Sequence, residues 1–348
     1  MSNRRDFLKL TGLAGAGLLT GCATGISGIK DDSQKKYKNY TQKFNMSGYA
    51  APALETVRIG FIGLGNRGPG AVVRMSKIEG VDIKGLCDLR PEKAQAAKQK
   101  IANTPHKPDL YTADENAWKK LCDRNDIDLI YIATPWHLHT PMAVYAMEQG
   151  KHVAVEVPVS KTIEECWQLV ETSEKTRKHC MILENCCYDF FELLTLNMAR
   201  QGFFGEIVHV EGAYIHNLLE HNFSKTQYQD MWRLKENFNN GNLYPTHGLG
   251  PVAQILNINR GDRMDYMVSM SSNDFSMAPL AKELAAKDDF YKQFANKSYR
   301  GNMNTSTIRT SLGKTMMIQH DVSSPRPYSR LHTLSGTKGV AQKYPLPG

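Results

Sequence analysis

The sequence predicts an α/β protein of two parts. The first is a doubly wound parallel sheet, and the second is a C-terminal α+β domain with an open, mostly antiparallel sheet. Three observations predict this. An apolar run at 57–62 feeds a glycine-rich turn. Strand-like runs then alternate with helical stretches as far as residue 184. Beyond residue 206 the apolar spacing changes to the two-residue period of half-exposed strands. Length agrees, because 348 residues exceed what one hydrophobic core usually organises.

The N-terminus reads as an address. Residues 3–9, Asn-Arg-Arg-Asp-Phe-Leu-Lys, form a twin-arginine export motif. A Gly/Ala-rich apolar stretch at 10–19 follows, too short to span a bilayer as a stable helix. It ends in Leu19-Thr20-Gly21-Cys22, which resembles the box where bacterial lipoproteins are cleaved and acylated on cysteine. Residues 1–22 are therefore expected to direct export to the periplasm or cell surface, with acylated Cys22 anchoring the protein to a membrane. Residues 23–55, rich in Lys, Asn, Ser and Gly, read as a flexible linker.

Charge follows the same division. The formal net charge is +8, yet residues 1–43 hold eight basic and three acidic residues, or +5. The remaining 35 basic and 32 acidic residues give only +3. No Lys/Arg patch with interleaved aromatics follows, so nucleic acid is not expected as a partner. Six further cysteines (Cys87, Cys122, Cys166, Cys180, Cys186 and Cys187) sit in apolar or helical patterns. They read as buried thiols, and no Cys/His spacing suits zinc, so no metal is expected.

Residues 56–187 carry the dinucleotide pattern. Val57-Arg58-Ile59-Gly60-Phe61-Ile62 leads into Gly63-Leu64-Gly65-Asn66-Arg67-Gly68. These glycines permit a tight turn and let backbone N–H groups approach a pyrophosphate at a helix N-terminus. A helical stretch at 71–77 and a strand at 81–87 come next, ending in Asp88, 20 residues beyond Gly68. A carboxylate there accepts hydrogen bonds from ribose hydroxyls and repels a 2′-phosphate, so NAD is favoured over NADP, although Arg90 softens that preference. Helices are expected at 93–101, 117–123, 141–149 and 163–177, and strands at 128–133, 151–155 and 180–184. Trp136, His137, His139, Glu156 and Asn185 fall at strand ends, where five polar or aromatic residues would line one crevice.

Residues 188–348 form the expected substrate domain. A helix at 190–200 connects to strands at 206–214, 264–270, 307–311 and 315–320. A Rossmann domain followed by an open sheet resembles the glucose–fructose oxidoreductase-like superfamily, over residues 56–345. One departure is informative. Dehydrogenases of that superfamily usually carry Glu-Lys-Pro after the fifth strand, whereas here Glu156-Val157-Pro158 puts a side chain that cannot exchange a proton in the lysine's place. The chain resembles glycoside hydrolase family 109 instead. Matching segments are Thr134–Thr140 with its Trp-His-x-His, Glu156-Val157-Pro158, Glu184-Asn185-Cys186-Cys187-Tyr188, Trp232-Arg233 and Tyr244-Pro245-Thr246-His247-Gly248.

The resemblance implies an α-N-acetylgalactosaminidase that uses bound NAD as a recycled catalyst, by oxidation, elimination, addition and reduction with no net redox. It implies that Asn66, Arg67, Asp88, Trp136, His137, Leu138, His139, Glu156, Val157 and Asn185 contact NAD, alongside the glycines Gly63, Gly65 and Gly68. Tyr214, Arg233, Tyr244, Pro245, Thr246, His247 and Tyr328 would face a glycan ending in N-acetylgalactosamine. His247 is the expected proton-transfer group, since an unperturbed histidine titrates near 6.5; the plain alternative is a hydrogen-bonded histidine in a loop. Tyr244 is expected to assist at a sugar hydroxyl. Family members continue well past Gly348, so a shortened substrate domain is expected here; homo-oligomerisation stays open. Two other functions compete. A periplasmic NAD(P)-dependent sugar oxidoreductase is favoured by the fold and opposed by Val157. A non-catalytic sugar-binding lipoprotein is the third.

Overall fold

In a computed structural model of the chain, residues 42 and 44–344 are described. The twin-arginine segment, the apolar run, Cys22 and most of the expected linker lie outside the described residues. Met46–Gly348 forms one compact unit. At its start, the Ala51 amide donates to His179 Nε2 at 3.4 Å and the Tyr49 ring lies 5.3 Å from the His179 ring.

Six short parallel strands build the first sheet: β1 Val57–Ile62, β2 Val81–Cys87, β3 Asp109–Tyr111, β4 Leu129–Ile132, β5 His152–Val155 and β6 Cys180–Ile182. Their order, β3-β2-β1-β4-β5-β6, is that of a doubly wound nucleotide-binding sheet, with its switch point between β1 and β4. Helices α1 Gly68–Met75, α2 Pro91–Lys100, α3 Ala117–Cys122, α4 His139–Glu148 and α5 Ile163–Thr176 alternate with the strands. The sheet is buried on both faces, so its strands are near-continuous apolar runs. On β1, Phe61 belongs to one core with Ile83, Leu86 and Tyr131, while Ile62 belongs to the other with Ile130, Ile132 and Val155. Each such side chain contributes about 1.5–3 kcal/mol by leaving water. β3 is the strand that apolar patterning misses, because it is three residues long and starts with Asp109.

Helix α6 Phe190–Arg200 leads to the second sheet: β7 Ile207–Ile215, β8 Met264–Ser271, β9 Met303–Thr310, β10 Thr315–Asp321, β11 His332–Gly336 and β12 Val340–Lys343. Its order is β12-β11-β7-β10-β9-β8. The β7–β10 pairing is parallel and the others are antiparallel. Four helices lie between these strands: α7 Leu219–Phe223, α8 Trp232–Glu236, α9 Thr246–Ile255 and α10 Met277–Lys287. β9 begins four residues earlier than its apolar alternation suggests. Its inward positions there are Asn304 and Ser306, and Asn304 Nδ2 donates to Ser269 Oγ and Ser271 Oγ of β8. All six cysteines among the described residues are free thiols; four are buried as expected, whereas Cys180 is half-buried and Cys166 is exposed.

The contact that positions the site is α9 on β7. A Cβ added to Gly212 would lie 2.3 Å from the Gly248 oxygen, and one added to Gly248 would lie 2.6 Å from Ala213 N. No real Cβ tolerates such approaches, so the two glycines let the helix and strand backbones touch. His247, beside Gly248, is thereby a first-turn helical residue rather than a loop residue.

Candidate active site

A cleft of about 1320 Å³ opens at the carboxyl ends of β1 and β4, and is closed on its far side by residues of the second sheet and its helices. Open α/β sheets bind ligands at such switch points.

Its first end is built from backbone. Gly63 has φ +91°, and a Cβ there would meet Ala133 C and O at 2.6 Å. A Cβ on Gly68 would lie 2.0 Å from the Gly63 oxygen, so Gly68 shapes the turn without itself lining the cleft. Gly65 lines the cleft, and its missing Cβ faces nothing closer than Arg90 Nη2 at 3.6 Å. That bare backbone, leading into the first turn of α1, fits a pyrophosphate. Asp88 holds the turn. Its Oδ2 accepts the Leu64 amide at 2.8 Å, and its Oδ1 accepts Arg90 N and Nε, both at 3.0 Å. Asn66 Nδ2 donates across the cleft to the Gln227 carbonyl at 3.1 Å. Glu156 accepts from the Tyr131 hydroxyl at 2.7 Å and lies 3.7 Å from Arg67 Nε.

Trp136, His137, Leu138, His139, Glu156 and Val157 also line the cleft. The two ring nitrogens of His139 face the Pro158 carbonyl at 2.6 Å and the Thr134 carbonyl at 2.8 Å, so the ring ties together the loops after β4 and β5. Asn185 does not join the other four strand-end residues in the crevice. It opens the 3-10 turn Asn185–Tyr188, half-buried, with Oδ1 lacking a hydrogen-bond partner.

The second end is built from side chains. Tyr214 of β7, Arg233 of α8, Tyr244 and His247 line it. The Arg233 guanidinium lies 5.1 Å from the Trp136 ring centre and 5.5 Å from those of Tyr228 and Tyr244, an aromatic cage for a cation. Tyr244 stacks on Trp136 at 5.4 Å. Burial pushes the Tyr244 phenol well up, so it stays protonated. Pro245, Thr246 and Tyr328 do not line the cleft. Pro245 and Thr246 instead form the start of α9. Tyr328 is 40% exposed and packs its ring edge-on against His216 at 4.9 Å, placing it behind the cleft wall.

His247 is the most constrained group. Its Nδ1 lies 2.6 Å from Glu184 Oε1, and both residues are buried. The ring meets Tyr214 edge-on at 4.9 Å and Tyr244 at 4.8 Å. Burial pulls the His247 pKa down, against the opposing hydrogen bond and charge of Glu184. Burial raises the Glu184 carboxyl, but the hydrogen bonds it accepts from His247 and from the Cys186 amide outweigh that and hold it below its ordinary value. A neutral imidazole beside a carboxylate is the result. Arg330 completes the surroundings: it lines the cleft and its Nη1 donates to Cys186 Sγ at 2.8 Å.

The sequence patterns single out neither Glu184 nor Arg330. Glu184 is legible as a carboxylate at the end of β6, but its neighbour Asn185 is the residue expected in the crevice. Arg330 follows a proline-rich loop in no periodic pattern, and nothing local marks it.

A sheet with this strand order, a glycine cradle and an acidic residue after β2 define the class: an NAD-binding protein of the oxidoreductase fold. Residues 57–184 match the family described as oxidoreductase family, NAD-binding Rossmann fold, and residues 188–346 match glycosyl hydrolase 109, C-terminal domain. An alpha-N-acetylgalactosaminidase of Bacteroides fragilis is 55% identical over 305 residues, covering 86% of this chain and 71% of that protein. Glycosyl hydrolase family 109 protein 1 of Bacteroides thetaiotaomicron is 50% identical over 350 residues, covering 97% and 72%. The chain belongs to glycosyl hydrolase family 109 and is an NAD-dependent glycoside hydrolase. Among solved structures, scyllo-inositol dehydrogenase from Lactobacillus casei with bound NAD(H) and scyllo-inositol superposes with a TM-score of 0.63 at 16% identity, over 84% of this chain and 77% of that one. An NAD binding oxidoreductase from Klebsiella pneumoniae gives 0.63 at 18%, over 83% and 73%. At such identities the likeness is one of fold.

Proposed function

We propose that this chain hydrolyses terminal α-linked N-acetylgalactosamine residues by a route through a sugar ketone. The glycine cradle, Asp88, Trp136 and Glu156 would hold the dinucleotide. When bound, NAD⁺ would supply a hydride acceptor for the sugar C3, the C3 hydroxyl proton passing to water, and the same hydride and a proton from water would restore the hydroxyl at the end, outside the two-carboxylate scheme of most glycosidases. A ketone at C3 acidifies the C2 proton. His247 removes it, the C2–H electrons become the C1–C2 π bond, and the C1–O bond to the aglycone breaks. Water then adds at C1, giving up a proton to the departed aglycone oxygen, and C2 is reprotonated from His247 after that proton has exchanged with solvent. Tyr244, kept protonated by burial, donates to a sugar hydroxyl. Arg233, caged by aromatic rings, binds hydroxyls or the acetamido carbonyl. Val157, 5% exposed and packed in the same aromatic cluster, takes no part in proton transfer.

The observation that carries this reading is a buried His247 clamped to Glu184 on a cleft where residue 157 has no ionisable side chain. The test is hydrolysis of a chromogenic α-N-acetylgalactosaminide in D₂O with no added cofactor, followed by NMR of the released sugar. Release with deuterium at C2 is expected. Release with C2 fully protonated would rule out the elimination route. Net NADH formation would support a sugar oxidoreductase, and binding without turnover a sugar-binding protein.

Arg4, Arg5, the apolar run and Cys22 support a second proposal, that the chain is exported and acylated on Cys22. Labelled palmitate should enter the full chain and be lost in Cys22→Ser; an unlabelled parent would sink the idea.

A further inference from the structure

We infer that Glu184 is the positioning residue that fixes the tautomer of His247, so that the ring presents a bare Nε2 to the cleft. The inference rests on the glycosidase reading only for what that nitrogen then does. An ionised carboxylate can accept a hydrogen bond and cannot donate one, so Nδ1 of His247, 2.6 Å from Glu184 Oε1, must carry the ring's proton. A neutral imidazole has one N–H, and Nε2 is then the basic nitrogen. A base oriented by a third group is the usual arrangement in proton-transfer sites.

The fold holds both partners. Glu184 follows β6 and caps the turn Asn185–Tyr188, its Oε1 also accepting the Cys186 amide at 2.9 Å. Above it lies Gly250 of α9, where an added Cβ would come within 3.0 Å of Glu184 Cγ and Cys187 Sγ. The carboxylate therefore has little room to turn. On its other side the imidazole is edge-on to two phenol rings, Tyr214 and Tyr244.

The same corner offers another reading. Ligand atoms of Glu184, Cys186 and His247 lie within 4.8 Å of one another, a grouping that could hold a metal ion. The Arg330 guanidinium, 2.8 Å from Cys186 Sγ, opposes it by placing a fixed positive charge on the sulfur a cation would need. A metal taking these three ligand atoms would have to break both the His247–Glu184 and the Arg330–Cys186 hydrogen bonds, and a hydrogen-bonded dyad leaves both in place.

Two measurements on the full chain test the inference. The first is ¹⁵N NMR of the imidazoles, which reports the His247 tautomer whether or not the protein turns over. The parent should show Nδ1–H with a bare Nε2, and Glu184→Gln, whose amide can also donate, should lose that single tautomer. The second is the pH dependence of turnover. Groups facing His247 are Glu184, Cys186, Tyr214, Tyr244 and His320, with Arg67 and Arg330 acting through charge. Of these, Glu184 is the group that favours the protonated ring. Its neutralisation should lower kcat about 10²-fold with KM changed less than about threefold, and move the acid limb to lower pH. Glu184→Asp, which keeps the charge, should restore the acid limb and serves if the glutamine variant does not fold. A single unchanged tautomer and acid limb in a folded Glu184→Gln would overturn the inference. An inactive parent that still shows the Glu184-dependent tautomer would overturn the glycosidase reading and leave this one standing.

Discussion

The two ends of the cleft are made differently. At the dinucleotide end the recognising surface is backbone: Gly63, Gly65 and Gly68 form a turn whose shape depends on missing side chains, tied down by Asp88. At the sugar end it is side chains: Tyr214, Arg233, Tyr244 and His247 project from three helices or strands and the approach to one of them, and their ionisation is set by burial and by one another. Backbone recognition is local in sequence, because a turn is made by adjacent residues. Side-chain chemistry is assembled from residues far apart, such as Glu184 and His247, 63 positions distant.

This contrast predicts separable failures. His247→Ala should cut turnover by about 10³-fold while the purified protein keeps its full complement of bound NAD, read by absorbance after denaturation. Gly68→Ala should fail from the other end, losing the cofactor first and turnover with it. With the new Cβ aimed at the Gly63 oxygen from 2.0 Å, the turn must shift, costing about 1–3 kcal/mol of stability and most of the cofactor. Equal cofactor loss in both variants would break the comparison.

Acid should act mainly through the second sheet. His320 and His332 are buried there, and burial pushes the first well below its ordinary value and the second to about 4. Unfolded histidine titrates near 6.5. Below that pH the unfolded chain takes up protons that the folded one refuses, so this stabilisation is fully present above about 6.5. For His332 it is lost as pH falls toward about 4, at up to about 1.4 kcal/mol per pH unit. The melting temperature should therefore drop between pH 7 and pH 5, with hydrogen exchange rising first in β10 and β11. A flat profile would show that neither ring is held neutral.

The halves also differ in how far they can be read from the sequence. Strands buried on both faces announce themselves as apolar runs, so β1, β2, β4 and β5 stand close to their expected limits. In the second sheet, β11 and β12 escape notice: β11 opens with His332 and Thr333, buried polar residues that give no apolar alternation. α9 is harder still. Gly248, Gly250 and Pro251 all argue against a helix, and only the packing shows why two glycines are there, Gly248 against β7 and Gly250 against Glu184 and Cys187.

By itself the sequence determined the doubly wound half, the cofactor turn and the absence of a proton-transferring side chain at Val157. Each of these depends on residue types at fixed short spacings, which hydrophobic periodicity and turn chemistry translate directly into structure. Only the tertiary structure decided which carboxylate His247 would meet, that Asn185 and Tyr328 stand off the cleft wall, and that Arg330 lies beside Cys186. Those facts follow from how α9 packs on β7 and on the turn after β6, a long-range contact whose geometry no local pattern encodes.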